Sequence, residues 1–201
     1  MINTIIFDLG KVLVDFHPVE GMKKLGFSKE AIKAFEDNIF SGLWEECDAK
    51  QMSDKEIRDC FKAVVPGYEQ EVDLLWDNIT VVTSVYEYSC EWVRQLKERG
   101  YRLYVLSNFG QQAFTMNSKM YDFLKDMDGM VVSYEVEMVK PDRGIYECLI
   151  KKYDIVPEEA VFLDDRKPNI EKARSLGLYG IVFENYEQAR GELEKLLHNM
   201  M

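Results

Sequence analysis

Thr4-Ile5-Ile6-Phe7-Asp8-Leu9-Gly10-Lys11-Val12-Leu13-Val14 is the stretch on which the reading of this chain turns. The apolar run from Ile5 to Phe7 stops at an acid, and Leu9-Gly10 marks a turn before a second apolar run. A short apolar run bounded by a turn signal reads as a strand buried on both faces. A carboxylate just past the carboxyl end of such a strand stands where open α/β sheets place ligands. Asp8 could equally serve as a turn residue bonded to its own backbone, so the rest of the chain decides.

Working outward, residues 16–81 lose the strand pattern and repeat apolar residues at helical spacing. Ser28 can cap a helix carrying Ile32, Phe35 and Ile39. Ser53-Asp-Lys-Glu56 has the form of a capping box, with Ile57, Phe61 and Val64 behind it and Pro66-Gly67 as a stop. Glu69 to Asn78 reads as another short helix. Beyond residue 82, strands and helices alternate. Ser84-Val-Tyr-Glu87 reads as a second capping box, for a helix through Trp92, Val93 and Leu96 that ends at Gly100. Strands follow at Tyr101 to Leu106, Gly129 to Ser133, Ala160 to Leu163 and Leu178 to Phe183. Helices are expected over 111–124, 142–153, 168–177 and 186–198.

Such alternation implies right-handed βαβ units and a parallel sheet sandwiched by helices. The expected fold is therefore α/β: a Rossmann-like core made of residues 1–15 and 82–201, with a helical cap at 16–81 inserted after the first strand. In a parallel sheet the strand carboxyl ends share one edge, so Asp8, Ser107-Asn108, Lys140 and Asp164-Asp165 are expected neighbours. Singly, each has an ordinary explanation as a turn, a solvated loop or a helix cap. Four such groups at successive strand ends are harder to dismiss.

Two carboxylates 4 Å apart repel by ~4 kcal/mol at an effective dielectric of 20, and an all-oxygen donor set favours Mg²⁺. Three aspartates and a phosphate dianion bring five negative charges together; Mg²⁺ and Lys140 offset three of them. The Ser107 hydroxyl and neighbouring backbone N–H groups can donate to phosphate oxygens. Asp8 is left as a nucleophile that would form an aspartyl-phosphate.

The motifs Phe7-Asp8-Leu9-Gly10-Lys11-Val12-Leu13, Leu106-Ser107-Asn108, Val139-Lys140-Pro141-Asp142 and Phe162-Leu163-Asp164-Asp165, with Asn169 following, resemble those of the haloacid dehalogenase superfamily in order and spacing. The helical insertion resembles the cap of one of its subclasses. The resemblance implies that Asp8 is the nucleophile, Ser107 and Asn108 sit at the phosphate, and Lys140 stabilises both aspartate and phosphoryl group. It further implies a Mg²⁺ site made of Asp8, the Gly10 carbonyl and Asp165, with Asp164 binding directly or through water, and Asn169 supporting the loop.

Position 10 departs from the pattern. Phosphatases of this superfamily usually carry an acid–base aspartate there, and such assistance is worth about 10²–10⁴ in rate. Asp15 and His17 are candidate substitutes. A good leaving group, such as the anomeric oxygen of a sugar 1-phosphate, is the other way out, and a branch with Asp-Leu-Gly in its first motif includes sugar-1-phosphate phosphatases. The expected activity is thus a Mg²⁺-dependent phosphatase for a small phosphorylated metabolite. Phe40, Trp44 and Asp48 are candidate substrate contacts in the cap, though apolar residues at that spacing are more often cap core. The alternatives are 2-haloacid dehalogenation, which Asp164-Asp165 argues against, and a catalytically weak phosphate-ligand binder or regulator, which Gly10 alone favours.

Bulk composition narrows the partners. A net charge of −11, from 36 acidic and 25 basic residues, disfavours nucleic acid and anionic membranes. No apolar run reaches the ~18 residues of a membrane span, and no secretory leader is evident. Four scattered cysteines, without metal-like spacing, suit a reducing cytoplasm. Oligomeric state is not legible.

Overall fold

The computed structural model describes residues 1–48 and 52–198. In chain order, β1 (Thr4–Phe7) and β2 (Val14–Phe16) precede a helical block of α1 (Pro18–Lys24), α2 (Lys29–Asn38), α3 (Leu43–Asp48), α4 (Asp54–Val64) and α5 (Glu69–Asp77). Next come β3 (Thr83–Val85), α6 (Ser89–Glu98), β4 (Arg102–Ser107), α7 (Gln111–Asn117), β5 (Gly129–Val132) and the single turn α8 (Ser133–Val136). The chain then runs through α9 (Arg143–Lys152), β6 (Ala160–Asp164), α10 (Lys167–Ser175), β7 (Tyr179–Val182) and α11 (Tyr186–His198).

Five strands form one parallel sheet in the order β5-β4-β1-β6-β7, with β1 at its centre. Central position explains the unbroken apolar sequence of β1, whose Thr4, Ile5, Ile6 and Phe7 are all fully buried. Side chains alternate across a strand. Ile5 and Phe7 accordingly pack with Trp92 and Leu96 of α6 and Leu193 of α11, while Ile6 faces Ile145 and Leu149 of α9 and Ile170 of α10. Phe7 meets the edge of Trp92 at 5.1 Å between ring centroids. Each such buried side chain contributes roughly 1.5–3 kcal/mol.

The helical block has its own core, built on Met22, Phe35, Phe61, Val72 and Trp76. Its helix starts follow the sequence signals. Ser28 accepts from the Ala31 N–H at 3.0 Å, and Ser53 and Glu56 form a complete capping box. Among the described residues, no helix is long and apolar enough to cross a membrane.

Two expectations are corrected. Ser84 does not cap a helix; it lies in β3, which pairs antiparallel with β2 so that Asp15 faces Ser84. The two connections to the helical block therefore run side by side as a ribbon, and α6 starts only at Ser89, whose hydroxyl donates to the Leu13 carbonyl at 2.7 Å. The helix expected over 111–124 stops at Asn117 and breaks into 3₁₀ turns. There the Asn117 amide donates to Ala113 and accepts from the Thr83 hydroxyl, while Tyr121 and Phe123 turn inward.

Candidate active site

Phe7 is in register with Val105 of β4 and Leu163 of β6, so the residues past the three strands meet at one edge of the sheet. Asp8 follows β1, Ser107 closes β4 and Asp164 closes β6. Lys140 arrives on the loop between α8 and α9. Asn108 fixes that loop: its amide oxygen accepts from the Lys140 N–H at 2.8 Å and its NH₂ donates to the Lys140 carbonyl at 3.1 Å. The Asn108 side chain is thus spent on positioning Lys140, and a phosphate would meet this residue through its main chain.

Asp8 is 8% exposed. Its Oδ1 accepts from the Leu9 N–H at 2.7 Å, the Ser107 hydroxyl at 2.7 Å and the Lys140 ammonium at 2.9 Å. Those three donors orient the carboxylate through Oδ1, and among the described residues none reaches Oδ2. Lys140, its side chain buried, also donates to Asp164 Oδ2 at 2.7 Å. The remaining capacity of Asp164 is taken by the Arg166 N–H at 2.8 Å and by the Asn169 amide, 2.9 Å from each oxygen. The Tyr146 hydroxyl in turn donates to the Asn169 carbonyl at 3.0 Å.

The electrostatics of this knot are short of positive charge. Burial pushes Asp8 up to about 7, against the pull of Lys140, and Asp164 adds to the rise. Burial also acts to lower Lys140, but Asp8 and Asp164 outweigh it and hold the ammonium above its ordinary value. Asp165 is raised by burial and then by Asp164. Carboxylate oxygens of Asp8, Asp164 and Asp165 lie within 4.8 Å of one another. All are hard donors, a set that fits Mg²⁺. Both Asp164 oxygens already accept from donors, as does Asp8 Oδ1.

Asp8, Ser107, Lys140 and Asp165 open onto one cleft of about 260 Å³, together with Gly10, Asn108 and Asn169. The turn after β1 is tight: the Leu9 carbonyl accepts from the N–H groups of Val12, Leu13 and Val14, and Lys11 takes a left-handed conformation with φ of 58°. Gly10 does not share that conformation, and a Cβ built there meets nothing within 4 Å. The missing acid is therefore not excluded by space.

Asp15 and His17 are not brought into the cleft. Val14 and Phe16 line it, so the intervening Asp15 of β2 points to the opposite face. There Asp15 accepts from the Tyr86 hydroxyl at 3.0 Å and pairs with His17 Nδ1 at 3.1 Å. Phe40 and Trp44 do line the cleft, whereas the side chain of Asp48 lies outside the described residues. Sequence reasoning missed Lys11, Thr83, Asn117 and Arg166, which also line it. Lys11 and Arg166 are legible in hindsight as neighbours of Gly10 and Asp165; Thr83 and Asn117 carry no sequence signal.

A family profile described as haloacid dehalogenase-like hydrolase matches residues 2–177. The chain belongs to the haloacid dehalogenase-like hydrolases. Among curated proteins, it is similar to a sesquiterpene phosphatase of Aspergillus oryzae, 25% identical over 181 residues that cover 88% of this chain and 87% of that one. It is also similar to a D-ribitol-5-phosphate phosphatase of Bacteroides thetaiotaomicron, 26% identical over an alignment of 224 residues covering 99% and 100%. A solved haloacid dehalogenase family enzyme from Bacteroides thetaiotaomicron, in complex with magnesium and inorganic phosphate, shares the fold at a TM-score of 0.73 and 23% identity, over 94% of this chain and 98% of that one.

Proposed function

We propose that this haloacid dehalogenase-like hydrolase is a Mg²⁺-dependent phosphatase of a small phosphorylated metabolite, working through an aspartyl-phosphate on Asp8. One observation carries the reading: three donors hold Asp8 Oδ1, so the carboxylate is oriented with Oδ2 as its reacting oxygen. The phosphatase and magnesium–phosphate relatives support it.

Oδ2 attacks phosphorus while the ester P–O bond breaks and its electron pair leaves on the substrate oxygen. The Ser107 hydroxyl and the Lys140 ammonium stand beside the charge that develops on the phosphoryl oxygens. Water then attacks the aspartyl-phosphate: a new P–O bond forms as the bond from phosphorus to Asp8 Oδ2 breaks, the water's proton passes to the departing phosphate or to solvent, and Asp8 is restored as the carboxylate. Asp8, the Gly10 carbonyl and Asp165 would hold Mg²⁺, with Asp164 contributing through water. Bound there, the ion would offset the negative charge shared by carboxylates and phosphate. Asn108 and Asn169 are positioning residues, acting through Lys140 and Asp164.

The helical block, residues 16–81, serves as the cap that covers the cleft, with the β2–β3 ribbon as its attachment. With Gly10 unable to move a proton and Asp15 and His17 facing away, the leaving oxygen departs without a side-chain acid. Substrates with good leaving groups, of which a sugar 1-phosphate is one, meet that condition. A cytoplasmic location rests on the cysteine pattern alone.

The test is phosphate release from p-nitrophenyl phosphate and a sugar-phosphate panel, with Mg²⁺ and with chelator, beside the Asp8→Asn variant. Release by the wild type that needs both Mg²⁺ and Asp8 is expected; none above the variant would overturn the reading. Chloride release from 2-chloropropionate without metal would favour dehalogenation instead.

A further inference from the structure

The cleft has two unlike ends. Its charged lining residues, Asp8, Lys11, Lys140, Asp165 and Arg166, all come from the loops at the strand ends. Among the described residues, the ribbon and helical block contribute Val14, Phe16, Phe40, Trp44, Ile79 and Val82, all apolar, and one polar residue, Thr83 of β3; Ala113 of α7 adds to the apolar set. Phe16, Phe40 and Trp44 form a continuous aromatic wall, with ring centroids 6.0, 5.7 and 5.3 Å apart. Thr83 and Asn117 also line the cleft, and both are already engaged. The Thr83 hydroxyl donates to Asn117 at 2.7 Å, and Asn117 donates to the Ala113 carbonyl at 2.8 Å.

We propose that the leaving group of the substrate is an apolar, ring-sized phenolic or similarly stabilised alcohol, so that aryl phosphates are the substrate class this cleft selects. The proposal rests on the phosphatase reading and narrows it. A polyol in this end would bury hydroxyls against rings and aliphatic carbons, losing on the order of tenfold in affinity for each one stranded. A ring would gain roughly ten- to a hundredfold from leaving water. The same choice answers the acid half of the vacancy at Gly10, in the step that forms the aspartyl-phosphate. When the ester P–O bond breaks, the electron pair goes to a phenoxide, whose conjugate acid has a pKa of about 10. Solvent can protonate it after departure, so no acid is needed in the transition state. Wall and vacancy, independent features of the cleft, thus select the same leaving group.

Four esters separate the two features: phenyl phosphate (apolar, good leaving group), benzyl phosphate (apolar, poor), glucose 1-phosphate (polar, good) and glycerol phosphate (polar, poor). With the wild-type enzyme and Mg²⁺, KM is expected to sort by the apolar body, about tenfold or more lower for phenyl and benzyl phosphate. In contrast, kcat is expected to sort by leaving group, with phenyl and glucose esters ahead of benzyl and glycerol. Phe40→Ala should raise KM for the two apolar esters by about two- to tenfold, with Phe40→Tyr restoring it and inhibition by inorganic phosphate unchanged. A lower KM for glucose 1-phosphate than for phenyl phosphate would overturn the proposal while leaving the phosphatase reading intact. No phosphate release from any of the four would overturn the phosphatase reading itself.

Discussion

The sheet edge and the helical block meet across one cleft but are built by opposite means. At the edge, buried charges are held by short polar contacts: Lys140 bridges Asp8 and Asp164, and Asn169 and the Arg166 N–H saturate Asp164. Across the cleft, Phe16, Phe40 and Trp44 hold one another by ring contacts that have no hydrogen-bond geometry to satisfy. The proposed function accordingly puts chemistry where position is fixed by strand ends, and selection where shape and apolarity suffice.

Breaking the edge should cost most. Lys140→Met leaves Asp8 and Asp164 facing each other without their shared cation. We expect kcat to fall about 10²–10³-fold and stability in urea to drop by about 3–5 kcal/mol, the scale for removing one partner of a buried ion pair. An unchanged urea midpoint would mean that the knot is not a structural element.

Gly10→Asp sharpens the contrast from the same side. The site has room for a side chain there, so an aspartate could supply the missing proton transfer. Turnover of benzyl and glycerol phosphate should rise by about 10²-fold, the lower end of general acid–base assistance, while phenyl phosphate gains little. Equal gains for all esters would contradict the view that leaving-group protonation is what position 10 lacks.

How much of this was legible follows from the same contrast. β1 announced itself because a central parallel strand is buried on both faces, and Asp8, Lys140 and Asp164 were placed together by topology before any contact was known. The β2–β3 ribbon was hidden because each strand has three residues whose partner lies beyond the whole helical block. Ser84 and Glu87 have capping-box spacing, yet strand pairing claimed Ser84. Asp15 and His17 were near Asp8 in sequence but not in space, since alternation along β2 sends Asp15 away from the cleft. Phe40 and Trp44 read more readily as cap core than as wall, and they are both: each packs against the core of the block, Trp44 on Phe61 and Trp76, while also lining the cleft.

Smaller effects test whether the regions are independent. Ser53→Ala removes the cap of α4 and should cost about 1 kcal/mol of stability, while inhibition by inorganic phosphate, which reports on the edge, stays the same. A weakened phosphate affinity would show that the block's stability reaches the edge. Smallest is Asp128, which accepts from Lys97 and from the Leu103 N–H beside the sheet. Although burial opposes it, these partners hold its carboxyl below the usual range. A depressed pKa stabilises the fold above the ordinary value of 3.8 and loses that contribution as pH falls. Asp128→Asn should therefore be less stable than wild type at pH near 6 by about 1 kcal/mol or less, with the gap closing toward pH 3. A gap that widens in acid would reverse the assignment.

The central claim is that Asp8 accepts the phosphoryl group, and trapping tests it most directly. Wild-type protein mixed with phenyl phosphate and Mg²⁺, quenched in acid during turnover and digested, should yield a peptide containing Asp8 that carries one phosphoryl group. The modification should be removed by hydroxylamine and absent from Asp8→Asn, which should turn over about 10⁴-fold more slowly or worse, as loss of a nucleophile acting in concert with its partners does. Turnover retained by Asp8→Asn, or a phosphoryl group trapped on any other residue, would contradict the account.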